Sequence, residues 1–213
     1  MIAVLISGQM RTLDKTVTSI KECYPNADFF VHAVQDKDSD KAFLLRPKAL
    51  CIEPQSEMSE RKEYTWQLGR GCQGVQGVLK QLWGLDRCWQ LYESSGVQYD
   101  WVVRCRADLK ILKRSEDPHQ LPPAVYIPKF CNFFGYNDRF AFGPHAAMKR
   151  YFTRRTLLDQ YINEGNIFHP ESFLAWTLKG LPVARTNVVF STLRENGVLT
   201  QPVYKAEWAD VID

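Results

Sequence analysis

Three charged residues alternate along one apolar segment near the middle of the chain: Arg104, Arg106 and Asp108. The segment Trp101–Leu112 is predicted to be a strand, and this alternation places the three side chains on one face. Charged groups on a buried face are costly unless a partner satisfies them. A diphosphate with a divalent cation would do so, because arginines fork onto phosphate oxygens and Asp108 offers the hard oxygen ligand that Mg²⁺ or Mn²⁺ prefers. An internal Arg–Asp ion pair at a partly exposed edge is the alternative.

Polar residues also follow the first predicted strand, Ile2–Ser7. Gly8 allows a tight turn or a close approach of the backbone to a ligand. Ser7, Gln9 and Arg11 offer hydrogen-bond donors to a base, a ribose or a phosphate. Thr12 is placed to cap the next helix, whose N-terminus favours an anion. The alternative is a simple turn and cap, with Arg11 in solvent.

Two further segments are weaker candidates for nucleotide contact. Gln35 and Asp36 follow the second predicted strand, where an acid can bind ribose hydroxyls, although loop acids are common. The segment Gly69–Gly74 matches a G-x-G-x-x-G pattern before a helix. It lacks a preceding apolar strand and a following acidic partner, so we interpret it as a flexible approach to the helix, with Arg70 as a phosphate contact.

Asp138 and Glu171 are candidates for the general base that would deprotonate an acceptor hydroxyl. The alternatives are an ordinary turn aspartate and an ordinary glutamate at a helix start. Arg106 is the candidate for stabilising negative charge on a leaving group.

The elements that must position these residues alternate between strands and helices. This order predicts an α/β fold with a mainly parallel central sheet flanked by helices, in which ligands bind at the carboxyl ends of the strands. The predicted strands are Ile2–Ser7, Asp28–Val34, Ala49–Glu53, Trp101–Leu112, Val125–Pro128, Arg139–Phe142 and Val183–Phe190. The predicted helices are Thr12–Tyr24, Val75–Tyr92, His145–Asn163 and Pro170–Lys179, and the tail from Glu195 is predicted to be irregular.

Composition restricts the classes of function. The 213 residues are 45% hydrophobic and 24% charged, which suits a single globular domain over residues 1–213. A net charge of +3 gives no indication of nucleic acid as a partner. The apolar start is too short for a signal peptide, and no run is long enough for direct membrane insertion. The 6 cysteines form no CxxC pair, so we expect reduced thiols in a cytoplasmic compartment, and the 4 scattered histidines predict no zinc site.

Four segments together carry a family resemblance. They are Ser7-Gly-Gln-Met-Arg-Thr12, Tyr99-Asp-Trp-Val-Val-Arg-Cys-Arg-Ala-Asp108, Asn137-Asp-Arg-Phe-Ala-Phe-Gly143 and Pro170-Glu-Ser-Phe-Leu174. With them the chain resembles the GT-A-fold glycosyltransferases of capsule, lipopolysaccharide and large-virus glycan gene sets. It is particularly similar to the N-terminal glycosyltransferase domain of a large chlorella-virus protein, so the chain is expected in a host cytoplasm if it is viral.

The resemblance implies a UDP-sugar donor, a hexose or deoxyhexose to be moved, a glycan acceptor and a Mn²⁺-type cation. Ser7, Gly8 and Arg11 would contact the nucleotide, and Asp138 or Glu171 would face the acceptor. Arg106 stands where many of these enzymes have the first acid of an Asp-x-Asp motif, so Asp108 alone carries over as a metal ligand. Metal and nucleotide would then bind together. Two other functions stay open, a non-catalytic sugar-nucleotide-binding module and a sugar-nucleotide nucleotidyltransferase, as does a place in a longer polypeptide with other domains.

Overall fold

A computed structural model of the chain describes residues 1–61, 63–64 and 74–200. The strands in these residues are β1 (Ile2–Gly8), β2 (Asp28–Val34), β3 (Ala49–Glu53), β4 (Trp101–Cys105), β5 (Leu109–Lys113), β6 (Val125–Pro128), β7 (Phe140–Pro144), β8 (Val183–Thr186), β9 (Val189–Leu193) and β10 (Leu199–Thr200). The α-helices are α1 (Leu13–Cys23), α2 (Val75–Glu93), α3 (His145–Phe152), α4 (Leu158–Asn163) and α5 (Pro170–Thr177). Short 3₁₀ helices cover Ser39–Leu45, Pro118–Gln120 and Arg154–Leu157.

The central sheet of the described part has seven strands in the order β3-β2-β1-β4-β7-β6-β8. β1 pairs in parallel with β2 and β4, β2 with β3, and β6 with β8. β7 runs antiparallel to both β4 and β6. A second sheet of three strands has the order β10-β9-β5. The predicted α/β class with a mainly parallel central sheet is therefore confirmed.

Both faces of the central sheet are covered. β1 sends Ala3 and Leu5 into a hydrophobic cluster with α2 through α5, and Val4 and Ile6 into a second cluster with α1. Each of these four side chains is 0% exposed, as expected for a continuous apolar strand between two layers of helix. The ends of the central strands can therefore meet solvent and ligand only at the edges of the sheet.

The predicted strand Trp101–Leu112 is wrong in one respect that matters for the site. The strand ends at Cys105, and a turn closed by the Leu109 N–H donating to the Arg106 carbonyl at 3.3 Å leads into β5 of the second sheet. Two further bonds fix this turn: Thr16 Oγ1 donates to the Ala107 carbonyl at 2.6 Å, and the Leu193 N–H donates to the Asp108 carbonyl at 2.8 Å. Arg106 and Asp108 therefore do not share a strand face with Arg104, as the predicted strand would have required.

Two other predicted elements are interrupted, each where side chains bind the backbone. The predicted strand Val183–Phe190 divides into β8 and β9 because the Glu116 carboxylate accepts from the Asn187 N–H at 3.0 Å, which breaks the ladder. The predicted helix His145–Asn163 ends at Phe152, where Thr153 Oγ1 donates back to the Lys149 carbonyl at 2.9 Å. No helix among the described residues is long and apolar enough to cross a membrane.

Candidate functional site

A cleft of about 350 Å³ opens at the carboxyl ends of β1 and β4. Its position agrees with the rule that ligands bind at this edge of a parallel sheet. The structure brings a set of residues predicted from the sequence together in its lining: Ser7, Gly8, Gln9, Arg11, Arg104, Arg106 and Asp108.

The end of β1 forms one wall of the cleft. Gly8 has a φ of 117°, which residues with a side chain rarely adopt, and no atom of the described residues lies within 4 Å of the place that a Cβ would occupy. The chain therefore turns sharply here and leaves open space for a ligand beside its backbone. Thr12 precedes α1 but makes no capping hydrogen bond with its side chain, so the predicted cap is wrong. Its hydroxyl donates instead to the Leu193 carbonyl at 3.4 Å, which joins α1 to the end of β9.

Arg104 lies at the floor of the cleft and is 1% exposed. Its Nη1 donates to Ser7 Oγ and to the Cys105 carbonyl, both at 3.2 Å, while Nε has no hydrogen-bond partner among the described residues. Among the described ion pairs none involves Arg104, and burial lowers the pKa of its guanidinium. A buried cation without a counter-ion at the wall of an open cleft favours an anionic ligand.

Arg106 and Asp108 form a two-point ion pair on the turn that follows β4. Nε of Arg106 donates to Oδ1 of Asp108 at 2.8 Å, and Nη2 donates to Oδ2 at 2.6 Å. Burial opposes ionisation of both groups, but the opposite charge prevails, so the pKa of Asp108 is lowered and that of Arg106 is raised. The ion pair that the sequence left open as an alternative is therefore present, and it lies on the cleft surface.

The divalent cation that the resemblance implies does not fit the residues around Asp108. Both of its carboxylate oxygens accept hydrogen bonds from Arg106, and the positive charges of Arg139 and Arg194 also act on it. In the described part of the chain, Asp108 belongs to no group of three possible metal ligands. A hard cation seeks several oxygen ligands, and this place is cationic already.

A different cluster could hold a metal ion. His32, Cys51 and Glu53 each offer one ligand atom, and these atoms lie within 4.8 Å of one another. Glu53 contacts one side chain inside this cluster and one outside it. Its Oε1 lies 2.9 Å from His32 Nε2 and 2.7 Å from Arg87 Nε. The cluster lies on β2 and β3, and none of its residues lines the cleft.

Sequence reasoning missed the contribution of α2 to the cleft. Gly77, Lys80, Gln81 and Gly84 all line it. Their spacing of i, i+3, i+4 and i+7 is that of one helical face, so a stripe of small and polar residues beside the apolar face was the signal. The two glycines leave room for a ligand, while Lys80 and Gln81 present polar groups.

The end of β9 also contributes lining residues that the sequence did not indicate. Leu193, Arg194 and Glu195 reach the cleft because β9 pairs with β5, directly after the Arg106–Asp108 turn. Glu195 lies 3.6 Å from Nη1 of Arg11. Glu195, the first residue of the tail predicted to be irregular, is thus part of the site, and the described part of that tail also contains β10.

Asp138 and Glu171 lie next to the cleft, behind two of its lining residues. Nε2 of Gln81 donates to Oδ2 of Asp138 at 2.6 Å, and the charges of both acids act on Arg106. Asp138 is 4% exposed and Glu171 7%. Burial, and then the charge of Asp138, raise the pKa of Glu171 to about 8. Glu171 therefore holds a proton near neutral pH, and Asp138 lies beside Gln81.

The position of Glu171 is fixed by its surroundings. Glu171 lies in the first turn of α5, and the capping residue His169 accepts from the Ser172 N–H and has its Nε2 3.5 Å from Glu171 Oε2. A Cβ on Gly135 would lie 2.0 Å from the carbonyl oxygen of Glu171, so only glycine allows the preceding loop to approach. The Tyr136 N–H donates to the same carbonyl at 3.0 Å. This close packing holds the acid pair in place.

The remaining predicted residues lie elsewhere. Gln35 is exposed, and neither Gln35 nor Asp36 is among the lining residues. Oδ1 of Asp36 accepts from the Asp38 N–H at 2.9 Å, which is the bond of an ordinary turn aspartate. Arg70 lies outside the described residues.

Solved structures that resemble this chain include two kinds of sugar enzyme. The glycosyltransferase GlyE of Streptococcus pneumoniae TIGR4 is 11% identical with a TM-score of 0.47, over 86% of this chain and 44% of its own. A glycosyltransferase involved in glycosylation of the major capsid of PBCV-1 is 9% identical with a TM-score of 0.45, over 86% and 80%. A nucleoside-diphosphate-sugar pyrophosphorylase from Vibrio cholerae RC9 is 11% identical with a TM-score of 0.46, over 87% and 91%.

This chain spans less than half the length of the GlyE chain, 44%. No curated protein sequence matches it. A family model does match, over residues 1–191, which include the ends of β1 and β4, the cleft arginines Arg11, Arg104 and Arg106, and the acid pair. The chain belongs to the family described as a domain of unknown function, DUF7796.

Proposed function

We propose that this protein is a glycosyltransferase that moves a hexose or deoxyhexose from a UDP-sugar to a hydroxyl group of a glycan acceptor. The observation that carries the proposal is the buried guanidinium of Arg104, which has no carboxylate partner among the described ion pairs and lies at the floor of a cleft at the carboxyl edge of the sheet. A diphosphate is the chemical group that best satisfies such a cation in an open cleft.

The cleft suits a ligand of nucleotide-sugar size. Its volume of about 350 Å³ falls within the range of roughly 300–1,000 Å³ for small-molecule sites. Ser7, the turn at Gly8 and Arg11 would contact the nucleoside, as the sequence resemblance implies. Arg104 and Arg106 would contact the two phosphates, and Lys80 on α2 extends the cationic lining.

The acid pair supports transfer as the reaction. The bond between the sugar C1 and the β-phosphate oxygen breaks, and a bond from C1 to the acceptor oxygen forms. In this proposal the Gln81 side chain moves aside, the acceptor hydroxyl loses its proton to Asp138, and Glu171 keeps its own proton. UDP leaves with the bonding electrons, and the guanidinium of Arg106 neutralises the developing charge. No step of this reaction requires a metal ion.

The first experiment measures UDP released from a panel of UDP-sugars, with and without oligosaccharide acceptors, and identifies the glycan product by mass spectrometry. Transfer predicts UDP and an extended glycan. A nucleotidyltransferase would instead make pyrophosphate from UTP and a sugar 1-phosphate. A non-catalytic binding module would bind UDP-sugar without turnover on any acceptor.

A matched pair of variants tests the acid. Asp138→Asn should lower turnover by about 100-fold or more while UDP affinity stays the same, because general bases contribute roughly 10²–10⁴-fold. Asp117→Asn removes an exposed turn carboxylate, which accepts from the His119 N–H and does not line the cleft, and should leave turnover unchanged. Unaltered turnover in Asp138→Asn would exclude Asp138 as the base.

A further inference from the structure

We infer that the cleft holds the diphosphate of its donor without a divalent cation, and that Asp108 serves to position Arg106 rather than to bind a metal. This rests on the proposed function for the identity of the ligand. It depends on three features of the structure: the balance of charge in the cleft, the commitment of the Asp108 oxygens, and the burial of Arg104.

The lining of the cleft has more positive than negative groups. The basic residues are Arg11, Lys80, Arg104, Arg106 and Arg194, and the acidic ones are Asp108 and Glu195. Arg106 pairs with Asp108, Arg11 lies 3.6 Å from Glu195, and Lys80 pairs with Glu57 outside the lining. Among the described ion pairs, Arg104 and Arg194 have no carboxylate partner. Two positive charges are therefore available to a diphosphate, and the lining presents no acidic cluster that a cation would need to neutralise.

Asp108 is poorly placed to hold a cation. A metal ion would have to compete with hydrogen bonds of 2.6 and 2.8 Å from one guanidinium to both carboxylate oxygens. It would also approach the positive charges of Arg139 and Arg194, which act on the same carboxylate. The backbone of Asp108 is fixed by the bond from the Leu193 N–H to its carbonyl, so the carboxylate cannot easily turn towards a new ligand.

The same pair is well suited to orient an arginine. A planar guanidinium bound at two points has one orientation, and its remaining N–H groups then point in a fixed direction. With Nε and Nη2 of Arg106 on Asp108, the Nη1 group and the outer N–H of Nη2 are left for a phosphate. Arg104 supplies a second, buried charge, and its Nε has no hydrogen-bond partner in the part of the chain that the structure describes. Together these two guanidinium groups neutralise the charge of the diphosphate, so a divalent cation is not needed for that purpose.

The experiment is calorimetric titration of the wild-type protein with UDP, and separately with inorganic pyrophosphate, in excess EDTA and in saturating Mn²⁺. We expect both ligands to bind in EDTA, with dissociation constants that change by less than about threefold when Mn²⁺ is present. Tightening of about tenfold or more by Mn²⁺, or binding only in its presence, would overturn the inference and leave the proposed function standing.

The pyrophosphate titration separates the inference from the function. Pyrophosphate that binds in EDTA while UDP does not would support metal-free phosphate binding and refute the nucleotide donor. Failure of both ligands under both conditions would refute both. Any effect of Mn²⁺ is measured again in Glu53→Gln, which disables the His32–Cys51–Glu53 cluster. An effect that disappears there comes from that cluster and leaves the inference intact, whereas one that persists counts against it.

Asp108→Asn adds a variant for which the two interpretations differ. The side-chain amide offers one acceptor oxygen and turns an N–H₂ donor towards the second Arg106 N–H, so the two-point bond is lost and positioning predicts that UDP binding in EDTA weakens by more than about threefold. A metal ligand would instead be lost, with a Mn²⁺ effect that disappears in the variant. Thermal melting checks that the variant is folded, and the wild-type titrations decide the matter if it is not.

Discussion

Replacement of Arg104 by methionine should stabilise the free protein and weaken its ligand binding at the same time. The guanidinium is 1% exposed and has no carboxylate partner among the described ion pairs. Burial of such a charge costs several kcal/mol, which its hydrogen bonds to Ser7 and to the Cys105 carbonyl offset in part. Methionine fills a similar volume without charge, so we expect a gain of about 1 kcal/mol in the free energy of unfolding, or roughly 2–4 °C in Tm.

The loss of binding should be larger than this gain. A hydrogen bond to a charged group contributes about 1.5–3 kcal/mol, which corresponds to roughly 10–150-fold in the dissociation constant of UDP. Differential scanning calorimetry gives the stability of the free protein, and titration calorimetry gives the affinity. Arg104→Lys keeps the positive charge but cannot donate two parallel hydrogen bonds to a phosphate. Its affinity for UDP should therefore lie between those of the wild type and Arg104→Met.

Arg154→Met is the matched control. Arg154 is 0% exposed and does not line the cleft, and within residues 1–61, 63–64 and 74–200 its Nε and Nη2 have no hydrogen-bond partner. Its removal changes a similar buried guanidinium, so stability can shift while UDP affinity should not. Wild-type affinity in Arg104→Met, or an equal loss of affinity in Arg154→Met, would refute the assignment of Arg104 to phosphate.

Three further predictions concern the acid pair and the cleft floor. The pKa of Glu171 is raised from 4.5 to about 8, so between these pH values the folded state holds a proton that the unfolded state loses. The free energy of unfolding, measured by urea denaturation, should therefore fall as the pH rises through this interval. In Glu171→Gln this fall should be smaller. Gly135→Ala should destabilise the protein by at least about 1–3 kcal/mol, since its Cβ would lie 2.0 Å from the Glu171 carbonyl oxygen. Gly74→Ala is the control, because no atom of the described residues lies within 4 Å of its Cβ position. Equal melting temperatures of the two variants would contradict the close packing at Gly135. In Gly84→Ala the new Cβ would lie 3.7 Å from atoms of Ser7 and His32, which is an ordinary contact distance. The variant should therefore stabilise α2 by up to about 1 kcal/mol but weaken UDP binding at the cleft floor. An unchanged UDP affinity would show that the ligand does not reach Gly84.

Much of the site follows from local pattern. Continuous apolar runs predict buried strands, and the polar residues directly after them must lie at one edge of a parallel sheet. This reasoning brought Ser7, Gly8, Arg11 and Arg104 to one cleft, as the structure shows. It did not separate them from Gln35 and Asp36, because strand ends look alike in sequence whether they face a cleft or a surface turn.

What the sequence could not determine depends on contacts between distant residues. The turn after Cys105 is held by Thr16 and Leu193, which lie 91 and 85 positions away from Ala107 and Asp108, and this turn pairs Arg106 with Asp108. The sequence around Cys105 does not reveal hydrogen bonds to such distant residues, so the strand was predicted to continue beyond Cys105.

The apolar strands and the polar residues at their ends were thus determined by the sequence itself, because burial and side-chain period act along a few neighbouring residues. Only the tertiary structure decided that Asp108 pairs with Arg106, that one face of α2 lines the cleft, and that Asp138 and Glu171 lie together behind Gln81 and Arg106. The physical reason is that charge pairing and shared burial depend on distance in space, which the order of residues does not specify.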